Sequence, residues 1–191
     1  AKAEAAFAAK KILAGDHVIA LPGDHGTLYS SKYNNSLLEN SLKWIWIEGK
    51  EGAKFTNLDI RDMSRWLISN IEVSKETGNL VSLAAGSNIV IADSDFYTTK
   101  DTSGWTVDDW INKAASAIAT RNTKCVSILR NKLLNLRFGI SIATDAPAVA
   151  DNRMNTLIAN NSIKNYSGDG MRPNASNINI RDNSIIDSYA S

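Results

Sequence analysis

Residues 156–165 read TLIANNSIKN, and residues 178–187 read INIRDNSIID. The two segments share a centre, Asn-Asn-Ser-Ile against Asp-Asn-Ser-Ile, and an alternation of apolar and polar residues around it. Placing Asn131, Asn161 and Asn183 under one another extends the match. Val126 and Ile128 then stand with Thr156 and Ile158, and with Ile178 and Ile180. Beyond the asparagine Leu133, Ile163 and Ile185 coincide, followed by Asn135, Asn165 and Asp187. A fourth copy, SNIVIADSDFY at 87–97, carries Ile89 and Ile91 before Ser94 and Phe96 after it. Alternation on both sides of a two-residue corner predicts two short strands, each with one buried face.

A third short alternating segment precedes each copy: Val81 to Leu83, Ser116 to Ile118, Gly139 to Ile142, and Gly170 to Met171. Three strands per turn, with 22 residues from Asn161 to Asn183, is the arithmetic of an all-β solenoid, a parallel β-helix. The longer spacing of 30 residues from Asn131 to Asn161 contains ATDAPAVADNRM (143–154), and the gap before Asn131 contains DTSGWTVDDWINKA (101–114). In a solenoid such excess has to leave as a loop from one corner. The asparagine column has its own physical account. A sharp corner favours a residue that tolerates the left-handed conformation, and Asn does so best after Gly. Stacked asparagine amides can also donate to one coil and accept from the other, which predicts a ladder at Asn131, Asn161 and Asn183.

Bulk properties narrow the partners. The 191 residues carry 21 Lys and Arg against 20 Asp and Glu, without a long run of either sign. Neither duplex nucleic acid nor an anionic membrane is expected as a partner. No stretch is long and apolar enough to span a bilayer, and the single Cys125 forms no intrachain disulfide.

The opening of the chain carries a resemblance. An expected helix over about Ala5 to Leu13 is followed by AGDHVIALPGDHGTLY (14–29) and then by KWIWIEGKEGAKFTN (43–57). Asp16, Val18, Ile19, Leu21, Gly26 and Tyr29, and then Ile45, Ile47 and Gly49, resemble the first phrases of right-handed parallel β-helix proteins of the pectate-lyase-like superfamily. The resemblance implies an N-terminal capping α-helix and a single domain over residues 1–191, with the cap over about 1–30 and coils over about 44–191. An open solenoid end exposes apolar positions and strand edges, and Phe7, Ile12 and Leu13 suit a helix that covers one. The sequence stops at NSIIDSYAS (183–191), inside a coil. The expectation is a longer chain, or another chain over that end, with a homotrimer as one form.

The superfamily acts mostly on polysaccharides, through lyases, hydrolases, epimerases and phage tailspike depolymerases, which implies a secreted, extracellular or virion location. Its groove lies over the first strand of each coil. Outward positions there would include Asp59, Arg61, Ser82, Ala119, Ser141, Asp169 and Arg172, and corner loops add Trp105, Trp110, Arg137, Tyr166, Asp145, Asp151 and Arg153. A β-eliminating lyase neutralises a uronate with Arg or Ca²⁺ and then removes a ring proton with a base; Arg137, Arg172, Lys164 and Tyr166 are candidates. A glycosidase sets two carboxyl groups about the scissile bond, for which Asp145, Asp151, Asp169 and Asp59 are available. The catalytic candidates are therefore Asp169, Arg172, Arg137, Asp145 and Asp151. Trp105, Trp110, Tyr166 and Arg61 are candidates to hold the glycan. No intact lyase motif is present in the coils, and no metal-ligand spacing is found around His17 or His25.

Three classes of function remain open. They are an enzyme that cleaves an acidic polysaccharide, a non-catalytic glycan-binding or adhesin β-helix, and a structural shaft segment. The repeated positions read as scaffold, so function is expected where the copies differ: GWTVDDW (104–110), ATDAPAVADNR (143–153) and YSGDGMR (166–172).

Overall fold

The computed structural model describes residues 12–31, 42–145 and 153–189. The helix expected over Ala5 to Leu13 lies outside these apart from Ile12 and Leu13, of which Ile12 is buried in the core.

The chain is all-β, with three parallel sheets visited in turn. Sheet 1 contains β1 (His17–Ala20), β4 (Ile45–Gly49), β7 (Ser64–Ser69), β10 (Ser87–Ala92), β13 (Lys124–Leu129), β16 (Arg153–Ala159) and β19 (Ser176–Arg181). Sheet 2 contains β2 (Gly23–Asp24), β5 (Ala53–Phe55), β8 (Glu72–Ser74), β11 (Asp95–Tyr97), β14 (Lys132–Leu136), β17 (Ser162–Tyr166) and β20 (Ser184–Ser188). Sheet 3 contains β3 (Thr27–Ser31), β6 (Asn57–Arg61), β9 (Asn79–Ala84), β12 (Ser116–Arg121), β15 (Phe138–Ala143) and β18 (Met171–Asn174). Each strand pairs with the strands three before and three after it, the connectivity of a three-sided solenoid compatible with a parallel β-helix.

The register places like residues in columns. In sheet 1 Val18, Ile47, Ile68, Ile91, Ile128, Ile158 and Ile180 face one another in succession. In sheet 2 Phe55, Val73, Phe96, Leu133, Ile163 and Ile185 do the same. Leu28, Leu58, Val81, Ile118, Ile140 and Met171 form the column of sheet 3. Except for Ile180 and Ile185 of the last coil, which are exposed, these three columns meet in one core, and each fully buried Ile, Leu or Phe contributes about 1.5–3 kcal/mol relative to exposure. A one-residue slip would turn a whole column outward, so the alternation fixes the register.

The ladder stands at the corner between sheets 1 and 2. Asn161 Oδ1 accepts from the Asn131 amide and from Asn131 Nδ2, both at 3.0 Å, while Asn183 Oδ1 accepts from the Asn161 amide and from Asn161 Nδ2, both at 2.9 Å. Asn131 Nδ2 also donates to the Ile91 carbonyl and Asn161 Nδ2 to the Ile128 carbonyl. The fourth copy continues the column with Ser94, whose amide donates to Asn131 Oδ1.

The left-handed conformation does not fall on the ladder itself. It falls one residue earlier, on Asp93, Arg130, Asn160 and Asp182, with φ of 53° to 57°. That residue turns the chain, and the next one is thereby aimed inward, where its amide is buried. Asn135, Asn165 and Asp187, at the far part of sheet 2, are left-handed themselves (φ 55°, 55° and 56°). Asn165 Nδ2 donates to Asn135 Oδ1, a second short stack.

Connections from sheet 1 to sheet 2 take two or three residues each, whereas the long ones flank sheet 3. β11 and β12 are joined by residues 98–115, which include helix α1 (Val107–Asn112). The connections from β3 to β4 and from β15 to β16 leave the other side of sheet 3. Thr98 Oγ1 accepts from the Ala115 amide at 2.8 Å and closes the base of the first excursion.

Candidate functional site

Sheet 3 presents the expected outward row, joined by Tyr29, except for Asp169, which precedes β18 and lies off the sheet. Tyr29, Asp59, Ser82, Ala119, Ser141 and Arg172 are successive partners, and Arg61, Ala84, Arg121, Ala143 and Asn174 form the next row. The carboxylates on this face are held by arginines. Asp59 accepts from Arg61 at 2.8 and 3.0 Å. Asp145 accepts from Arg121 at 2.6–3.0 Å and from Asn122 at 2.9 Å. Asp169 pairs with Arg172 at 2.8 Å. The Arg121 guanidinium, with Asn122, keeps the Asp145 carboxyl below its ordinary value. A glycosidase acid requires the opposite, a carboxyl raised by its surroundings so that it carries a proton near neutrality.

The remaining sequence candidates separate. Asp151 lies outside the described residues, and of Arg153 only the backbone is described. Tyr166 is part-buried and packs against the core, in a row with Leu136 and Ser188. Lys164 pairs with Asp187 at 3.4 Å. Arg172 and Arg137 both lie over the Phe138 ring, at 4.9 and 5.4 Å from its centroid. Arg172 is committed to Asp169. Arg137 is exposed and has no carboxylate partner among the described residues. Among those residues no group of three or more His, Cys, Asp or Glu is gathered to hold a metal ion. His17 stacks on Trp46 at 3.9 Å and pairs with Glu48, and His25 stacks on Phe55.

Helix α1 carries the tryptophans expected on this excursion. Thr106 caps it, accepting from the Asp109 amide while Asp109 Oδ2 accepts from the Thr106 amide, a reciprocal pair that satisfies two helix-end donors. Lys113, one turn on, donates to Asp109 as well. The Lys113 and Thr106 bonds bring the Asp109 carboxyl from its ordinary 3.8 down to about 2. A depressed carboxyl adds stability that is complete above the ordinary value and is lost as pH falls through the depressed one. An NMR titration of the Asp109 carboxyl carbon is therefore expected to give a midpoint at about 2. A midpoint at the ordinary value would mean that the cap does not form in solution.

Trp110 is only 5 % exposed, and its carbonyl accepts from Ser167 Oγ. It pins α1 to the solenoid. Trp105, half-buried, meets it edge-on at 4.9 Å, and Tyr189 stacks on it at 5.2 Å with 17° between the planes. Two hollows open around this aromatic group. One, of about 410 Å³, is lined by Thr102, Ser103, Trp105, Trp110, Asn165 and Asp187, with Ser188 and Tyr189. The other, of about 230 Å³, is lined by Val107, Trp110, Ile111, Arg137 and Phe138, with Ser167, Gly168 and Tyr189.

Comparison with protein-family models, curated proteins and solved structures found no match to this chain. The site therefore has to be read from its own chemistry. Aromatic faces with a few convergent polar groups suit a ligand that is apolar on one face and hydroxylated at its rim, as a sugar ring is. Phe138, Asp187 and Tyr189 join this site without being site candidates in the sequence, where Asp187 reads only as a position of the repeat. The signal lay in the repeat: Leu136, Tyr166 and Ser188 are partners, so the next position holds Arg137, Ser167 and Tyr189, where the copies differ.

Proposed function

We propose that this chain is a glycan-binding β-helix protein that takes an acidic polysaccharide into the aromatic groove between α1 and the corner from sheet 2 to sheet 3. The supporting observation is Arg137, a guanidinium without a carboxylate partner among the described residues, placed over Phe138 in a hollow whose lining is mostly apolar and aromatic. A planar guanidinium presents a fork of donors to a carboxylate. The right-handed sense, membership of the pectate-lyase-like superfamily and an extracellular or virion location belong to the same reading.

Binding is favoured over cleavage because the candidate acids Asp59, Asp145 and Asp169 are each neutralised by an arginine. The candidate base Tyr166 is part-buried, packs against the core and lines neither hollow. The test is affinity electrophoresis of the chain through gels containing polygalacturonate, hyaluronan or dextran. Retention is expected on the acidic gels, and Arg137→Ala is expected to weaken it by about tenfold, the equivalent of one charge-assisted hydrogen bond. Parallel incubations are expected to yield no new ultraviolet absorbance and no new reducing ends. Either product would replace the binding reading with a lyase or a hydrolase, and absence of retention on every acidic gel would leave a structural shaft.

A further inference from the structure

We infer that the groove recognises an alternating acidic glycan, in which a uronate is followed by an uncharged sugar, rather than a polymer of uronates. The inference rests on the glycan reading above and concerns the order of sugars that the same site accepts.

The two hollows are adjacent, since Trp110 and Tyr189 line both. A polymer crossing the exposed Tyr189 ring meets one hollow and then the other. Their charges are opposite. In the smaller hollow the one charged lining residue is Arg137, which has no carboxylate partner among the described residues. In the larger hollow the one charged lining residue is Asp187. Its pairing with Lys164 is loose, at 3.4 Å, with both side chains about half exposed, and Lys164 does not line the hollow.

A uronate on the Arg137 side therefore finds a cation, whereas one in the neighbouring hollow faces the Asp187 carboxylate. Like charges at close range are disfavoured by as much as surface pairs of opposite sign are favoured. A neutral sugar in that hollow is free of the penalty. Its hydroxyls can donate to Asp187 and exchange hydrogen bonds with Asn165, Thr102 and Ser103, while its ring lies against Trp105.

The test uses the whole chain and three oligosaccharides of matched length in isothermal titration: hyaluronan fragments (uronate alternating with an uncharged N-acetylhexosamine), oligogalacturonate (uronate throughout) and an uncharged dextran oligomer. Hyaluronan fragments are expected to bind about fivefold more tightly than oligogalacturonate, a factor of the size that one exposed charge contact gives. The gap should narrow as salt screens the groove. Asp187→Asn is expected to strengthen oligogalacturonate binding and close most of the gap. The residue is left-handed, and Asn135 and Asn165 hold the same conformation in the same column, so this variant is expected to fold. Arg137→Ala is expected to weaken both charged oligomers alike. Equal affinity for the two, or an Asp187→Asn variant that keeps the gap, overturns the alternating order and leaves acidic-glycan binding standing. Binding of dextran alone, or of none of the three, removes the acidic-glycan reading and this inference with it.

Discussion

Asn161→Ala is expected to destabilise the fold by about 3–5 kcal/mol, since each buried polar group left without a partner costs about 1–3 kcal/mol. The residue is 2 % exposed and serves three coils. Its Oδ1 accepts from the Asn131 amide, and its Nδ2 donates back to the Ile128 carbonyl and forward to Asn183 Oδ1. Alanine orphans the Asn131 amide and strips the Ile128 carbonyl of its side-chain donor inside a corner that is packed above and below. Asn161→Asp keeps the shape, but an ionised carboxylate donates nothing, so it is expected to be at least as damaging at neutral pH. Asn165→Ala loses a single bond to Asn135 at a part-buried position and places alanine in the left-handed conformation, and is expected to cost about 2 kcal/mol. Urea unfolding midpoints of the three variants, at unchanged slope, measure these differences. If Asn161→Ala cost no more than Asn165→Ala, the ladder would be an accompaniment of the corner rather than its support.

The columns were legible in the sequence because period-2 alternation was repeated with the same phase. Ile128, Ile158 and Ile180, and Leu133, Ile163 and Ile185, could be laid over one another by eye, and they are partners in the structure. The seat of the left-handed turn was not legible. The recurring asparagine drew attention to itself, while the turning position before this column holds Asp93, Arg130, Asn160 and Asp182, of which Arg130 is no turn former. The column keeps Asn131, Asn161 and Asn183, with Ser94 in the fourth copy, for hydrogen bonds between coils, and the turning position is varied because its side chain points to solvent. Around the site, Trp105 and Trp110 stood out because they sit in an excursion that breaks the repeat. The pairing of charges did not, since Asp93 meets Arg130 and Arg121 meets Asp145 only through the stacking of coils. The solitary state of Arg137 is equally a property of its neighbours in space.

Gly139→Ala is expected to cost about 3 kcal/mol or more, toward the upper range for overpacking, because the added carbon has nowhere to go. A Cβ there would stand 2.2 Å from the Gly170 carbonyl oxygen and 3.1 Å from Ile163 Cγ2. The nearer atom is backbone of the next coil. The Ile140 amide donates to that same Gly170 carbonyl and the Gly139 amide to the Asp169 carbonyl, both at 3.0 Å. Strands of one sheet lie roughly 4.8 Å apart, so the methyl can enter only if β15 and β18 separate and these bonds lengthen. Gly104→Ala is the control: nothing lies within 4 Å of its Cβ position, and a surface change of this kind should stay within about 0.5 kcal/mol. Equal unfolding midpoints for the two variants would refute the close approach of coils at Gly139. The same displacement reaches the groove, because Arg137 and Phe138 immediately precede Gly139 and Arg172 lies over the Phe138 ring. Gly139→Ala should therefore lose stability and glycan affinity together, whereas Arg137→Ala should lose affinity at full stability. That difference separates a groove residue that touches the ligand from a scaffold residue that holds the groove in place.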